Sequence, residues 1–179
     1  MAKDIKIYST KFDNVKLFEL VKFDDNRGFF VETFNYKIQK LIDPKIKFIQ
    51  DNESFSKYGV LRGLHFQKSP YQQAKLIRVS DGEIQDVIVD VRPNSKTYGE
   101  WQSFILSSTN NKVLYVPKGF AHGFLVLSKT ATVNYKTDSY YNHNSESGII
   151  YNDKTLNIEW ELPKKNISIS EKDKQLPFF

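Results

Sequence analysis

The chain has no cysteine, and among its 179 residues there are only three histidines and one methionine. Without cysteine there is neither a disulfide framework nor a thiolate metal site. No apolar run approaches the roughly 20 residues that a membrane helix requires. The opening Met1-Ala2-Lys3-Asp4-Ile5-Lys6 lacks the apolar stretch of a secretory signal, so a cytoplasmic location is expected and no membrane partner. Glycine and proline are sparse, at 8 and 6, and no repeat, linker or low-complexity segment interrupts the chain. Positive charge exceeds negative only modestly, 26 Lys and Arg against 21 Asp and Glu, for a net +5. The basic residues are dispersed among acids, with no dense basic block and no RNA-binding aromatic motif, so nucleic acid is not the expected partner. A phosphorylated small molecule suits that charge, as does an ordinary solvated lysine-rich surface.

Aromatics are plentiful instead: 14 Phe, 10 Tyr and 2 Trp. Large rings suit the half-buried faces of strands. The length allows one well-buried core, so a single domain over residues 1–179 is expected. Short strand-like runs dominate, over 28–34, 48–54, 61–66, 75–79, 82–91, 102–106, 112–116, 123–127, 131–137 and 148–151. Turn clusters such as Ser80-Asp81-Gly82 and Arg92-Pro93-Asn94-Ser95 separate them. This spacing predicts an all-β sandwich or barrel. In the clearest strand, Gln85, Val87, Val89 and Val91 share one face, while Ile84, Asp86, Ile88 and Asp90 share the other. Isoleucines and carboxylates on one face describe either a site wall or an exposed mixed surface. One helix is predicted over Tyr36 to Ile42, stopped by Asp43-Pro44, and a single turn near Ser170 to Gln175.

Two of the three histidines sit in glycine-flanked apolar runs: Arg62-Gly63-Leu64-His65-Phe66-Gln67 and Pro117-Lys118-Gly119-Phe120-Ala121-His122-Gly123-Phe124. An imidazole exchanges protons near neutral pH, and Arg62, Lys75 and Arg78 supply cations for an anionic ligand. A regular strand would put Arg62 and His65 on opposite faces. They meet in one cavity only if the strand bulges, which Gly63 permits. The Pro-x-Gly-x-x-His spacing before His122 is similar to the second metal-binding motif of cupin barrels. The first such motif wants His-x-His, and here the stretch reads His65-Phe66-Gln67. One His per motif cannot build a three-ligand cage, so no metal is expected. Tyr135 shares a face with Val133. Its phenol, with a pKa of about 10, can donate a proton at neutral pH but is a poor base. A base and an acid on opposite sides of a carbon would invert a stereocentre, given a carbonyl sink and a cation for the enolate oxygen. Each group also has a plainer use, as a hydrogen-bonded core histidine or a half-buried structural tyrosine.

These segments, with Arg27-Gly28-Phe29-Phe30-Val31-Glu32, Gln50-Asp51-Asn52, Lys75-Leu76-Ile77-Arg78, Tyr135-Lys136, Tyr140-Tyr141 and Glu159-Trp160, resemble the dTDP-4-dehydrorhamnose 3,5-epimerases over nearly the whole chain. The resemblance implies a cupin-type jelly-roll barrel with a few short helices, a homodimer, and no cofactor. It implies epimerisation at C3 and C5 of a dTDP-linked 4-keto-6-deoxy sugar. It assigns His65 as base, Asp173 as the carboxylate orienting it, Tyr135 as proton donor and Lys75 as the cation near the C4 oxygen. Arg27, Glu32, Gln50, Asn52, Arg62, His122, Glu146 and Lys172 become substrate contacts, and Tyr141 the platform for thymine. The chain departs from the family pattern at Ala74, at Asn134 and in the loop Asn142 to Glu146. A 3-epimerase or ketoisomerase on a related nucleotide sugar, or a non-catalytic sugar-binding module, are the competing functions.

Overall fold

The computed structural model describes residues 5–179. Met1–Asp4, part of the segment read above for a signal, lie outside the described residues. Two sheets face each other. The first has the order β1 (Lys6–Tyr8), β2 (Lys16–Glu19), β10 (Lys112–Val116), β7 (Lys75–Asp81), β12 (Thr130–Thr137), β5 (Gln50–Lys57). The second runs β13 (Glu146–Gly148), β6 (Val60–Gln67), β11 (Phe120–Val126), β8 (Glu83–Asp90), β9 (Trp101–Ser107), with β14 (Ser168–Ile169) parallel to β6. A separate hairpin pairs β3 (Lys22–Asp25) with β4 (Gly28–Val31).

Alternation along the strands builds three apolar layers. Between the sheets, Ile77, Val79, Leu114, Val116 and Val133 meet Ile84, Ile88, Leu106, Phe124 and Val126. Each such fully buried aliphatic side chain contributes about 1.5–3 kcal/mol. Outside the first sheet, Phe18, Leu76, Val113 and Tyr115 pack against Ile38 and Ile42 of helix α1 (Tyr36–Ile42). That helix starts where the Asn35 side chain accepts the Ile38 N–H at 3.0 Å, and it ends at Asp43, before Pro44. Outside the second sheet, Leu64, Val87, Val89 and Ala121 are covered by Ile149, Leu156, Ile158, Trp160 and Phe179 from the C-terminal segment.

That covering explains the valine face of β8. Gln85 sits in it because its side chain donates to the Glu159 carbonyl at 2.8 Å and accepts the Glu161 N–H at 2.8 Å, satisfying a buried amide. Asp90, on the inner face, is 0% exposed and accepts from Arg92, Ser95 and Thr97. Burial alone would raise its pKa; these donors outweigh that and hold it low.

Sequence patterning places helix α1 at its observed bounds and finds ten strand regions, but it misses β1, β2, β3 and β14. In β2, Leu17 enters the inter-sheet core while Phe18 enters the helix-covered layer, so both faces are apolar and no alternation marks the strand. The strand expected over 148–151 is corrected to Glu146–Gly148. Ile149 still exchanges backbone hydrogen bonds with Leu64, at 3.0 and 3.2 Å, before the chain turns away.

Candidate active site

A bulge in β6 makes the site. Opposite His122 to Phe124 of β11, two steps apart, β6 runs from His65 to Arg62, three steps apart. The extra residue reverses the strand's face parity. Arg62 and His65 therefore both line one cavity of about 450 Å³, while Leu64 points out into the covered layer. Gly63 at φ +117° provides the bend. A Cβ there would stand 2.6 Å from the Gly123 Cα, so the two backbones close on each other at this point.

Asp173, in the short helix α2 (Glu171–Lys174), is brought to this bulge from the far end of the chain. Its two carboxylate oxygens divide their work. One accepts from His65 Nε2 at 2.8 Å, and the other accepts the Gly63 N–H at 3.2 Å. Burial would raise the Asp173 pKa, but the bonds from His65 and Gly63 and the nearby Lys172 lower it overall. An ionised carboxylate only accepts, so His65 donates its Nε2–H to Asp173 and Nδ1 is the ring nitrogen left for a ligand. The His65 side chain is 33% exposed and lines the cavity, so part of the ring is open to a ligand.

Lys75, His122 and Tyr135 line the same cavity. Burial lowers the Lys75 ammonium to about 8, and the nearby Asp86 carboxylate opposes the fall. Burial likewise lowers the His122 pKa, so His122 is neutral and donates Nε2–H to Asp86 at 2.8 Å. Burial raises the Tyr135 phenol, which Arg62 partly offsets. Tyr135 thus stays protonated at neutral pH, as a donor requires.

The other expected contacts fall into four groups. Arg62 and Lys172 line the cavity. Arg62 is braced by the Ser56 hydroxyl at 2.9 Å. Gln50 and Asn52 of β5 lie opposite Thr137 and Tyr135, so they share Tyr135's face, and they bond each other at 2.8 Å. At the rim, the Tyr141 hydroxyl donates to Glu146 at 2.7 Å and Lys172 donates to both Glu146 oxygens at 2.7 Å, which ties Tyr141, Glu146 and Lys172 into one chain. Arg27 and Glu32 are not brought to this cavity. Arg27 pairs with Asp25 at the tip of the β3–β4 hairpin, and Glu32 lines a separate groove beside α1. Sequence reasoning left Asp86 out of the site. The signal was present in the alternation of Asp86 with Ile84 and Ile88, which form part of the inter-sheet core. Among the described residues no three His, Asp or Glu side chains gather as a metal cage would need.

A bulged histidine with a carboxylate behind it, and a cation and a phenol in the same cavity, form an arrangement that can move protons to and from a bound ligand. The family model described as dTDP-4-dehydrorhamnose 3,5-epimerase matches residues 9–179. The chain belongs to that epimerase family. The dTDP-4-dehydrorhamnose 3,5-epimerase of Shigella flexneri is 46% identical over 170 residues, which cover 94% of this chain and 93% of that protein. The crystal structure of the Bacillus anthracis dTDP-4-dehydrorhamnose 3,5-epimerase, with TDP and PPi bound, superposes with a TM-score of 0.93 at 46% identity, covering 98% of this chain and 100% of that one. The dTDP-6-deoxy-D-glucose-3,5-epimerase of Legionella pneumophila, in complex with dTDP-4-keto-L-rhamnose, gives 0.93 at 43% identity, covering 98% and 93%. The two facing sheets are accordingly the cupin-type jelly roll of the epimerase family, with its short helices on the outside.

Proposed function

We propose that this chain, acting as one domain, epimerises C3 and C5 of dTDP-4-dehydro-6-deoxy-D-glucose to give dTDP-4-dehydro-L-rhamnose, without a cofactor. The observation that carries the reading is the His65–Asp173 pair at 2.8 Å in a cavity that Lys75 and Tyr135 also line. Both carbons flank the C4 ketone. His65 Nδ1 takes the proton from one of them, and the C–H electron pair becomes the C=C of an enolate. Asp173 stabilises the imidazolium that results. The C4 oxygen takes the negative charge, and Lys75 holds it as an ammonium. Tyr135 returns a proton from the opposite face, and the phenolate and imidazolium then re-equilibrate with solvent. Two such rounds invert two centres. Arg62, His122, Gln50, Asn52 and the Tyr141–Glu146–Lys172 chain are the contacts that hold the sugar and its nucleotide.

The homodimer belongs to this reading. Arg27 and Glu32 stand apart from the cavity, yet the family resemblance makes them substrate contacts. The β3–β4 hairpin exposes Phe23, Phe29 and Phe30 at 52%, 64% and 65%, an apolar surface suited to a second copy. A second copy's cavity is the place where that hairpin would meet substrate. No helix among the described residues is long and apolar enough to cross a membrane. A cytoplasmic site of action goes with this reading and with the absence of cysteine.

Proton NMR of the 4-keto substrate with enzyme in deuterium oxide is the test. Deuterium should enter at both C3 and C5, with a new L-configured product. Wash-in at C3 alone would make the enzyme a 3-epimerase. Tight dTDP binding with no exchange at either carbon would make the chain a sugar-binding module.

A further inference from the structure

Asp86 stands behind the cavity, bonded to the lining residue His122, and neither the base nor the acid uses it. It lies in the middle of β8, is 0% exposed, and faces the interior between Ile84 and Ile88. Its Oδ2 accepts from His122 Nε2 at 2.8 Å. Its Oδ1 is buried with no hydrogen-bond partner among the described residues. An unpartnered carboxylate oxygen in a core costs several kcal/mol unless a charge compensates it. The groups facing this end of the cavity are few: Lys75 from β7, His122 from β11, His65 and Arg62 from β6, Tyr135 from β12, and Lys172 and Asp173 from α2. Three of the charged groups are already engaged: Asp173 by His65, Lys172 by Glu146, and Arg62 by the Ser56 hydroxyl and the Phe55 carbonyl. Asp138, just past β12, accepts from Lys118 and the Ala74 N–H. Lys75 is the cation left to Asp86.

We infer that Asp86 is a positioning residue of the site: one carboxylate oxygen fixes His122, and the other supplies the counter-charge that keeps the Lys75 side chain an ammonium inside the cavity. The two do not form a direct ion pair in this structure; Asp86 acts on Lys75 through space. That arrangement suits a cation whose partner in the reaction is an oxygen that becomes anionic only transiently. A contact ion pair would sequester the ammonium, whereas a carboxylate held back by His122 sustains the charge and leaves the N–H groups free. The catalytic consequence rests on the role given to Lys75 above; the effect of Asp86 on the charge of Lys75 does not.

The test uses Asp86→Asn, which keeps the shape and an acceptor for His122, removes the charge and puts an amide NH2 in place of Oδ1. Lysines are ¹³C-methylated, and the Lys75 resonance is assigned by its loss in Lys75→Arg. Its titration midpoint, which burial should place at about 8 in the wild type, should fall by about 1 pH unit or more in Asp86→Asn, the scale expected for losing an opposite charge at close range. The alkaline limb of kcat should move down with it. An unmoved Lys75 midpoint in folded Asp86→Asn overturns the inference. A shifted midpoint in a protein whose wild type exchanges no deuterium leaves the inference standing and removes the epimerase reading instead. Should Asp86→Asn fail to fold, His122→Gln replaces it: the carboxylate remains, so the Lys75 midpoint should hold or rise, and a fall there overturns the assignment.

Discussion

At the scale of single residues, the proposed base and the proposed proton donor sit in different environments. His65 has a carboxylate behind it and open cavity before it, whereas Tyr135 is held protonated by burial. This asymmetry predicts different consequences for the two conservative replacements. His65→Asn should lower deuterium exchange at every position by about 10²–10⁴-fold, the range for a general base. dTDP binding, followed by calorimetry, should survive. Exchange at the wild-type rate in a folded His65→Asn protein would take the base role from His65. Tyr135→Phe removes a hydroxyl and leaves the ring beside Val133. His65 and Lys75 still generate the enolate, so exchange with retention should persist while epimer yield falls by about 10²-fold or more. Comparing NMR wash-in with product formed in a coupled reductase assay separates the two. A full epimer yield in Tyr135→Phe would return Tyr135 to a packing role.

At the scale of elements, β6 carries the site because it is irregular. Alternation applied to Arg62-Gly63-Leu64-His65 puts the guanidinium and imidazole on opposite faces; the bulge puts both in the cavity. Gly63→Ala should therefore damage both stability and chemistry. Its φ of +117° is strained for an L-residue, and its Cβ would meet the Gly123 Cα at 2.6 Å. A loss of roughly 2 kcal/mol or more is expected in denaturant unfolding, with exchange activity falling in whatever fraction folds. Gly28→Ala is the contrast: φ is +134° but nothing lies within 4 Å, so only the backbone term applies and the loss should be smaller. Equal losses in the two variants would mean that the close approach of β6 to β11 adds nothing. The same strands show what sequence can and cannot reveal. Helix α1 was legible because a 3.6-residue apolar spacing and a proline stop coincide within 36–44. The alternation of β8 was legible, but the nature of its two faces was not. Its valine side is covered by residues some 60 positions or more downstream in the chain, and its carboxylate side faces the core. Long-range contacts of that kind leave no local periodicity. Asp173 was reached through resemblance alone, since nothing near Lys172-Asp173 announces a histidine more than a hundred residues away.

At the scale of the whole molecule, the chain's two ends stand differently to the site. The C-terminal segment wraps the second sheet, with the Trp160 indole donating to the Tyr151 carbonyl at 2.9 Å, and then delivers Asp173 to its own protomer's β6. The N-terminal β3–β4 hairpin makes a sheet of its own and carries Arg27 outward, 85% exposed, beside Phe29 and Phe30. If that hairpin completes a second copy's cavity, function is shared across the dimer, and subunit mixing exposes it. Arg27→Ala has an intact base and a defective hairpin; His65→Asn has an intact hairpin and a defective base. Each alone should turn over slowly. A mixed dimer, formed by denaturing and refolding the two together, contains one cavity with its own His65 and the other copy's Arg27. Mixing at equal amounts makes half of the dimers mixed, each with one competent cavity in two, so activity should recover to about a quarter of the wild-type value per subunit. Recovery to that level requires the hairpin to act across the interface. No recovery in material that sedimentation shows to be dimeric would place Arg27 on its own protomer's site or outside the site altogether.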